Sequence, residues 1–337
     1  MKAILACLLL LVACVPMRAP NDEVLVTELE VPWAVSFFPD DTFLVTERNT
    51  GSVYHVRNGV VQNVGSVASR WISEGGLLGV AIDPEFNSNS FVYVYYTYQG
   101  GKQTLNRVSR FVYSGVLSDE KVLIDSIPGA QFHDGGRLAF GPDGFLYVTT
   151  GDATEPSLAQ DLASMAGKIL RINKDGSVPA SNPFPNSLVY SYGHRNPQGL
   201  VWHESVLYAP EHGPSMMDEI NIIEPGQNYG WPLVTCDAHE GFSAPIRCFS
   251  DWTLAPAGIA ADNDGNLYVA GLRGSQVRKF VLNNGQIVNE SVVRDDLGRV
   301  REVQYHKGNL YVSTSNRDGR GIPRPGDDKL IRMNVSS

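Results

Sequence analysis

Six short cores of one type recur along the chain: Phe43-Leu44-Val45, Val92-Tyr93-Val94, Leu146-Tyr147-Val148, Leu207-Tyr208-Ala209, Leu267-Tyr268-Val269 and Leu310-Tyr311-Val312. Their starts lie 49, 54, 61, 60 and 43 residues apart, and most follow a turn such as Pro39-Asp40-Asp41, Pro142-Asp143-Gly144 or Asn263-Asp264-Gly265. A four-stranded propeller blade takes about 40 to 50 residues, so each repeat holds one blade and the middle repeats carry extra loop. The expected fold is therefore all-β, a six-bladed propeller. A β-sandwich with chance likeness between strands is the alternative, and six cores would make it unusually large. The segment Glu23-Val24-Leu25-Val26-Thr27-Glu28-Leu29 reads as a strand ahead of the first core, placed to complete the last blade beside Lys329-Leu330-Ile331-Arg332 and close the ring. No ten-residue amphipathic helix stands out, and Leu158 to Ile169 is the best candidate for a helical turn or loop.

The 337 residues are 43% hydrophobic and 19% charged, enough to bury a large core, and the 33 glycines and 20 prolines are spread out as many tight turns require. A formal charge of -9 without any basic block argues against nucleic acid as a partner. Lys2 followed by the apolar run Ile4 to Val12 is too short to span a bilayer but suits a signal-peptide core, which predicts export. Leu11-Val12-Ala13-Cys14 resembles the bacterial lipoprotein cleavage box; lipid on Cys14 would be the membrane attachment, and ordinary cleavage a few residues later is the other reading. Residues 1–22 are thus expected to be signal peptide and tether, 23–337 the propeller, and the protein periplasmic or lipid-anchored. Cys236 and Cys248 remain, twelve apart in an oxidising compartment where a disulfide would staple a loop; they match neither zinc pattern with paired CxxC.

Four polar, glycine-rich segments flank the repeat cores, where loops at one mouth of a propeller gather. His133-Asp134-Gly135-Gly136 precedes a strand that ends at Asp152, so a strand pair would return Asp152 to His133. An imidazole held by a carboxylate is fixed in one tautomer and suits a general base, although a turn hydrogen bond would use the same residues. Arg195, in Gly193-His194-Arg195-Asn196-Pro197, offers a permanent planar cation to an oxyanion, or braces its loop. The run from Glu211 to Asn221, with its Gly213-Pro214 turn, combines carboxylates with inward-turning carbonyls of the kind calcium takes, or carboxylates facing water. Alternation places Arg299 and Arg301 on one strand face, where with Arg273 they would bind a ligand with several carboxylates or pair with acidic neighbours.

In this order the segments resemble the glucose/sorbosone dehydrogenase family, in particular its aldose sugar dehydrogenase branch, which uses pyrroloquinoline quinone (PQQ) and calcium. The likeness rests on Pro32-Trp33-Ala34-Val35, Gly75-Gly76-Leu77-Leu78-Gly79, His133-Asp134-Gly135-Gly136, Gly193-His194-Arg195-Asn196-Pro197-Gln198-Gly199, Asp218-Glu219-Ile220-Asn221 with Asn228-Tyr229-Gly230-Trp231-Pro232, and Pro325-Gly326-Asp327-Asp328, spanning residues 26 to about 333. It implies oxidation of the C1 hydroxyl of aldose sugars to lactones, with His133 as base, Asp152 orienting it and Arg195 stabilising the reduced quinone oxygen. It further implies that Asn196 and Gln160 contact PQQ and that Arg273, Arg299 and Arg301 meet its carboxylates. The carbonyls of Gly213 and Pro214 would hold the calcium on PQQ; Glu219 and the Tyr229 carbonyl would hold a second, structural one. Electrons would pass to an external acceptor, a quinone, cytochrome or dye, from a monomer or dimer. Glu74 departs from the pattern, standing where the glucose-oxidising branch tends to place an amide. Fold alone never proves activity, so a non-catalytic ligand-binding propeller and a calcium-dependent sugar lactonase are the rival readings.

Overall fold

The computed structural model describes residues 22–236 and 241–335. Those residues form six four-stranded antiparallel sheets arranged as a six-bladed propeller. The chain enters through β1 (Glu23–Val26) and builds blade 1 from β2 (Pro32–Phe37), β3 (Phe43–Glu47), β4 (Ser52–Arg57) and β5 (Val60–Ser66). Blade 2 follows as β6 (Leu77–Ile82), β7 (Phe91–Gly100), β8 (Gln103–Tyr113) and β9 (Leu117–Pro128), and blade 3 as β10 (Leu138–Phe140), β11 (Leu146–Thr150), β12 (Lys168–Ile172) and β13 (Val189–Tyr192). Blade 4 is β14 (Val201–His203), β15 (Val206–Glu211), β16 (Asp218–Ile223) and β17 (Arg247–Phe249); blade 5 is β18 (Pro256–Ala261), β19 (Leu267–Gly271), β20 (Gln276–Asn283) and β21 (Gln286–Arg294). Blade 6 takes β22 (Val300–His306), β23 (Asn309–Thr314) and β24 (Leu330–Asn334) and borrows β1 as its outer strand, with Glu23 opposite Arg332 and Val24 opposite Ile331. The ring closes as the sequence predicts.

Every repeated core lies on the second strand of its blade, β3, β7, β11, β15, β19 and β23. That strand is flanked by partners within its sheet and covered on both faces by neighbouring blades, so all five residues of β3, β11 and β19 are buried. A strand covered on both faces favours an uninterrupted apolar run over alternation, and such a run is what recurs. The expected helical turn is a single 3-10 turn, Pro156–Ala159, ahead of irregular chain that runs to β12.

First strands crowd the propeller axis. A Cβ on Gly79 would meet the Gly136 carbonyl at 2.2 Å, and one on Gly258 would meet Glu302 Oε1 at 2.4 Å, so only glycine permits this approach. Arg137 lies there on the Trp33 ring, 4.4 Å from its centroid, donates to the Gln198 carbonyl at 3.0 Å and pairs with Glu302. Cys236 and Cys248 are joined in a disulfide with Cα atoms 5.2 Å apart, as the spacing suggested. The expected signal segment, with Cys14, lies outside the described residues. No helix among the described residues is long and apolar enough to cross a membrane.

Candidate active site

The predicted strand pair forms. β11 runs antiparallel to β10, so the chain leaving β11 meets the loop entering β10, and His133 Nδ1–H donates to Asp152 Oδ1 at 2.7 Å. Asp152 is fully buried. Its Oδ1 also accepts the Thr154 N–H at 2.8 Å, and its Oδ2 accepts the Trp231 indole N–H at 2.8 Å. A carboxylate only accepts, so the proton of a neutral His133 sits on Nδ1 and leaves Nε2 with a free lone pair. The His133 backbone is held on both sides: its N–H donates to Glu74 Oε2 at 3.2 Å and its carbonyl accepts the Ala153 N–H at 3.2 Å.

Arg195 and Asn196 follow β13. Arg195 donates from Nη1 to the His212 carbonyl at 3.2 Å, its guanidinium lies 5.3 Å from the Trp231 ring centroid, and its buried Nε has no partner among the described residues. Burial lowers its pKa, against the pull of Asp152 and Glu211. Asn196 is fully buried; its Oδ1 accepts the Gly135 N–H at 3.1 Å, while its Nδ2 is unpaired. Two buried donors are therefore left without protein acceptors in one loop, an arrangement that native interiors avoid unless a ligand satisfies them.

A cavity of about 700 Å³ is lined by His212, Arg273, Arg299, Asn316, Arg320 and Arg324, among others. Arg273 is exposed on the β19–β20 turn. Arg299 precedes β22, and the register shifts between Val300 and Glu302, leaving Arg301 at a bulge, yet both arginines lie near Asp318. Arg299 donates from Nε to Asp318 Oδ2 at 2.8 Å. Arg301 is buried, donates to Gln198 Oε1 and leaves Nε unpaired; burial, with Arg48 and Arg299 close by, lowers it to about 9.

Gly213 and Pro214 form the turn between β15 and β16, where the Gly213 N–H donates to Asp218 Oδ1 at 2.9 Å. Glu219, on β16, accepts the Cys236 N–H and shares Asn221 with Glu211; burial and the Glu211 charge push it up to about 7. Tyr229 is buried, its ring stacked on His194 with centroids 4.6 Å apart. Gln160 faces the protein, donating to the Trp231 carbonyl at 2.7 Å and exchanging bonds with the Asn228 amide at 3.0 and 2.8 Å.

Sequence reasoning did not assign a role to Trp231. It reaches Asp152 because the chain after β16 runs parallel to β13, bridging Asn228 to Tyr192, which a strand-by-strand reading of blade 4 does not reveal. Arg320, which pairs with Glu74 at 2.6 Å across the mouth, was missed because only an Arg-Asp-Gly-Arg-Gly turn signals it.

The family model Glucose / Sorbosone dehydrogenase matches residues 29–331. Aldose sugar dehydrogenase YliI of Escherichia coli is 30% identical over 89% of this chain and 91% of its own length. An uncharacterised protein of Synechocystis, slr1608, is 36% identical over 87% of this chain and 83% of its own. The PQQ-bound aldose sugar dehydrogenase of Streptomyces coelicolor superposes with a TM-score of 0.87 at 35% identity, covering 94% of this chain and 99% of that one.

Proposed function

The chain belongs to the glucose/sorbosone dehydrogenase family, and from that premise we propose that it is a PQQ-dependent dehydrogenase that oxidises the C1 hydroxyl of aldose sugars. The observation that carries the reading is the His133–Asp152–Trp231 chain, which leaves one imidazole nitrogen free beside loops whose buried donors lack protein partners.

Bound PQQ supplies the hydride acceptor. Asp152 holds Nδ1 of His133, so Nε2 takes the proton from the C1 hydroxyl as the hydride leaves carbon. Trp231 and the Thr154 N–H keep Asp152 from turning away. Arg195, braced against the His212 carbonyl, presents a fixed positive charge to oxygen atoms that gain electron density. The residues present fit an anion with several carboxylates: Arg273 and Arg299 line the cavity, Arg301 backs the Arg299 turn, and Asn196 Nδ2 and Arg195 Nε are donors in need of acceptors. Gln160 acts from behind, through its hold on Asn228 and Trp231.

Calcium also fits. No cluster of three or more metal-ligating side chains occurs among the described residues, so the ion would rest mainly on carbonyls, those of Gly213 and Pro214 at PQQ and that of Tyr229 with Glu219 at a second site. Glu219 and Glu211 are like charges confined together, which a cation between them would relieve. The same reading places the protein outside the cytoplasm, passing electrons to an external acceptor.

Dye reduction by protein lacking residues 1–14, with an aldose panel and with PQQ and calcium varied independently, tests this. The expected result is sugar-dependent reduction that needs both additions and falls at least about a thousandfold in His133→Ala, the scale of a lost general base. Activity without PQQ, or retained by His133→Ala, would overturn it.

A further inference from the structure

Glu74 lies in the turn between β5 and β6 and is held at three points. Its own N–H donates to the Gln131 carbonyl at 3.0 Å, its Oε2 accepts the His133 N–H at 3.2 Å, and its Oε1 accepts Arg320 Nη1 at 2.6 Å. The first two bonds clamp the chain from Gln131 to His133. The third reaches across the mouth to the loop between β23 and β24, where the Arg320 guanidinium also lies 5.4 Å from the Phe132 ring centroid. The Arg320 loop is fixed in turn by Asp318, which accepts the Arg320 N–H at 2.9 Å and the Arg299 Nε–H at 2.8 Å. His133 is thus linked through one carboxylate to the loop that carries two of the cavity arginines, Arg320 and Arg324.

We propose that Glu74 is a positioning residue for His133 and that Arg320 is its counter-charge, so that this pair sets both the seat and the basicity of the base. The inference rests on His133 being the base of the proposed reaction. Arg320 is half exposed, and an exposed ion pair adds little stability. Its effect lies in balancing a carboxylate only 14% exposed beside the site. Burial raises the pKa of Glu74, but the Arg320 guanidinium and the His133 N–H, with His212 close by, outweigh it and hold the group below its ordinary value; His212 itself is kept neutral by its burial. The other charged or titratable groups facing His133 are Asp152 at Nδ1, the buried Asp134 beside it, and His212 and Arg195 from the loops around blade 4. None of these residues is itself altered in the Glu74 and Arg320 variants, so the variants change the charge of the pair alone.

The test follows the imidazole titration of His133 by NMR in histidine-labelled, PQQ-free protein, with its signals identified by their loss in His133→Gln. The remaining histidine signals, from seven histidines in all, report the fold. Removing the carboxylate charge in Glu74→Gln disfavours the imidazolium and lowers the midpoint by about half a unit, whereas Arg320→Ala uncovers that charge and raises it by a similar amount. In the double variant the two opposed changes cancel and the midpoint returns close to that of the parent. In PQQ-loaded protein the acidic limb of kcat/KM moves in the same opposed directions. Glu74→Ala loses about tenfold in kcat with sugar KM little changed, and Glu74→Gln recovers most of it because its amide oxygen still accepts the His133 N–H. Unmoved midpoints, or shifts of one sign at both positions, would overturn the inference. Opposed shifts in a protein that oxidises no sugar would uphold the pair and sink the dehydrogenase reading instead.

Discussion

His133 sits at a φ of 65°, in the left-handed region that costs a side-chain-bearing residue roughly 1–2 kcal/mol. The bonds from its N–H to Glu74 and from the Ala153 N–H to its carbonyl over-determine that conformation and aim the ring at Asp152. Its neighbour Asp134 is fully buried, with Oδ1 accepting from Asn106 at 2.9 Å and from the Ala130 N–H at 3.1 Å and Oδ2 unpaired; burial pushes its pKa up to about 7. A carboxyl raised on folding binds more protons folded than unfolded between its unfolded value and about pH 7, so the stability it contributes is present at low pH and is lost as pH rises through that window. Asp134→Asn keeps an acceptor for Asn106 and never ionises. Its Tm relative to the parent should therefore improve by several degrees from pH 5 to pH 8 in thermal melts, and a difference independent of pH would refute the assignment.

The strands were legible because each second strand is buried on both faces and so repeats an apolar signature, while the loops hold the chemistry and carry no period. His133 and Asp152 were found together because a hairpin separates them. Trp231 and Arg320 were not, because one arrives on a segment parallel to β13 and the other from blade 6, distances along the chain that no local pattern encodes. A bulge at Arg301, which no local pattern announces, buries that side chain while Arg299 lines the cavity, although both lie near Asp318. Lys168, at the start of β12, shows how a strand governs a loop: its buried ammonium donates to the carbonyls of Leu158, Ala159 and Ala166 at 2.7, 3.0 and 2.6 Å. Burial lowers its pKa to about 8. Lys168→Met leaves the Ala166 carbonyl without its donor and takes one bond each from the Leu158 and Ala159 carbonyls, which keep the Asp161 and Gly193 N–H groups; we expect a loss of about 2 kcal/mol in denaturant unfolding together with weaker PQQ binding by fluorescence titration.

Across the whole molecule the axis is a polar plug. Arg137 of blade 3 meets Glu302 of blade 6, the Gln198 carbonyl ahead of blade 4 and the Trp33 ring of blade 1. Burial raises Glu302, and Arg137 opposes the shift. Arg137→Met would strand that carboxylate and cost about 3–5 kcal/mol, whereas Arg137→Met with Glu302→Leu should recover most of the loss in the same unfolding measurement. Equal damage in the single and double variants would mean that the pair contributes shape rather than charge balance. The ring itself is sealed by β1 against β24, the first of the described strands against the last. A chain cut short before residue 330 leaves β1 with no mate and blade 6 with a bare edge, the kind of edge that recruits other chains. The seam is therefore a checkpoint in synthesis: only a product that has been translated through β24 can shut, and one stopped short of it exposes itself to proteolysis and aggregation.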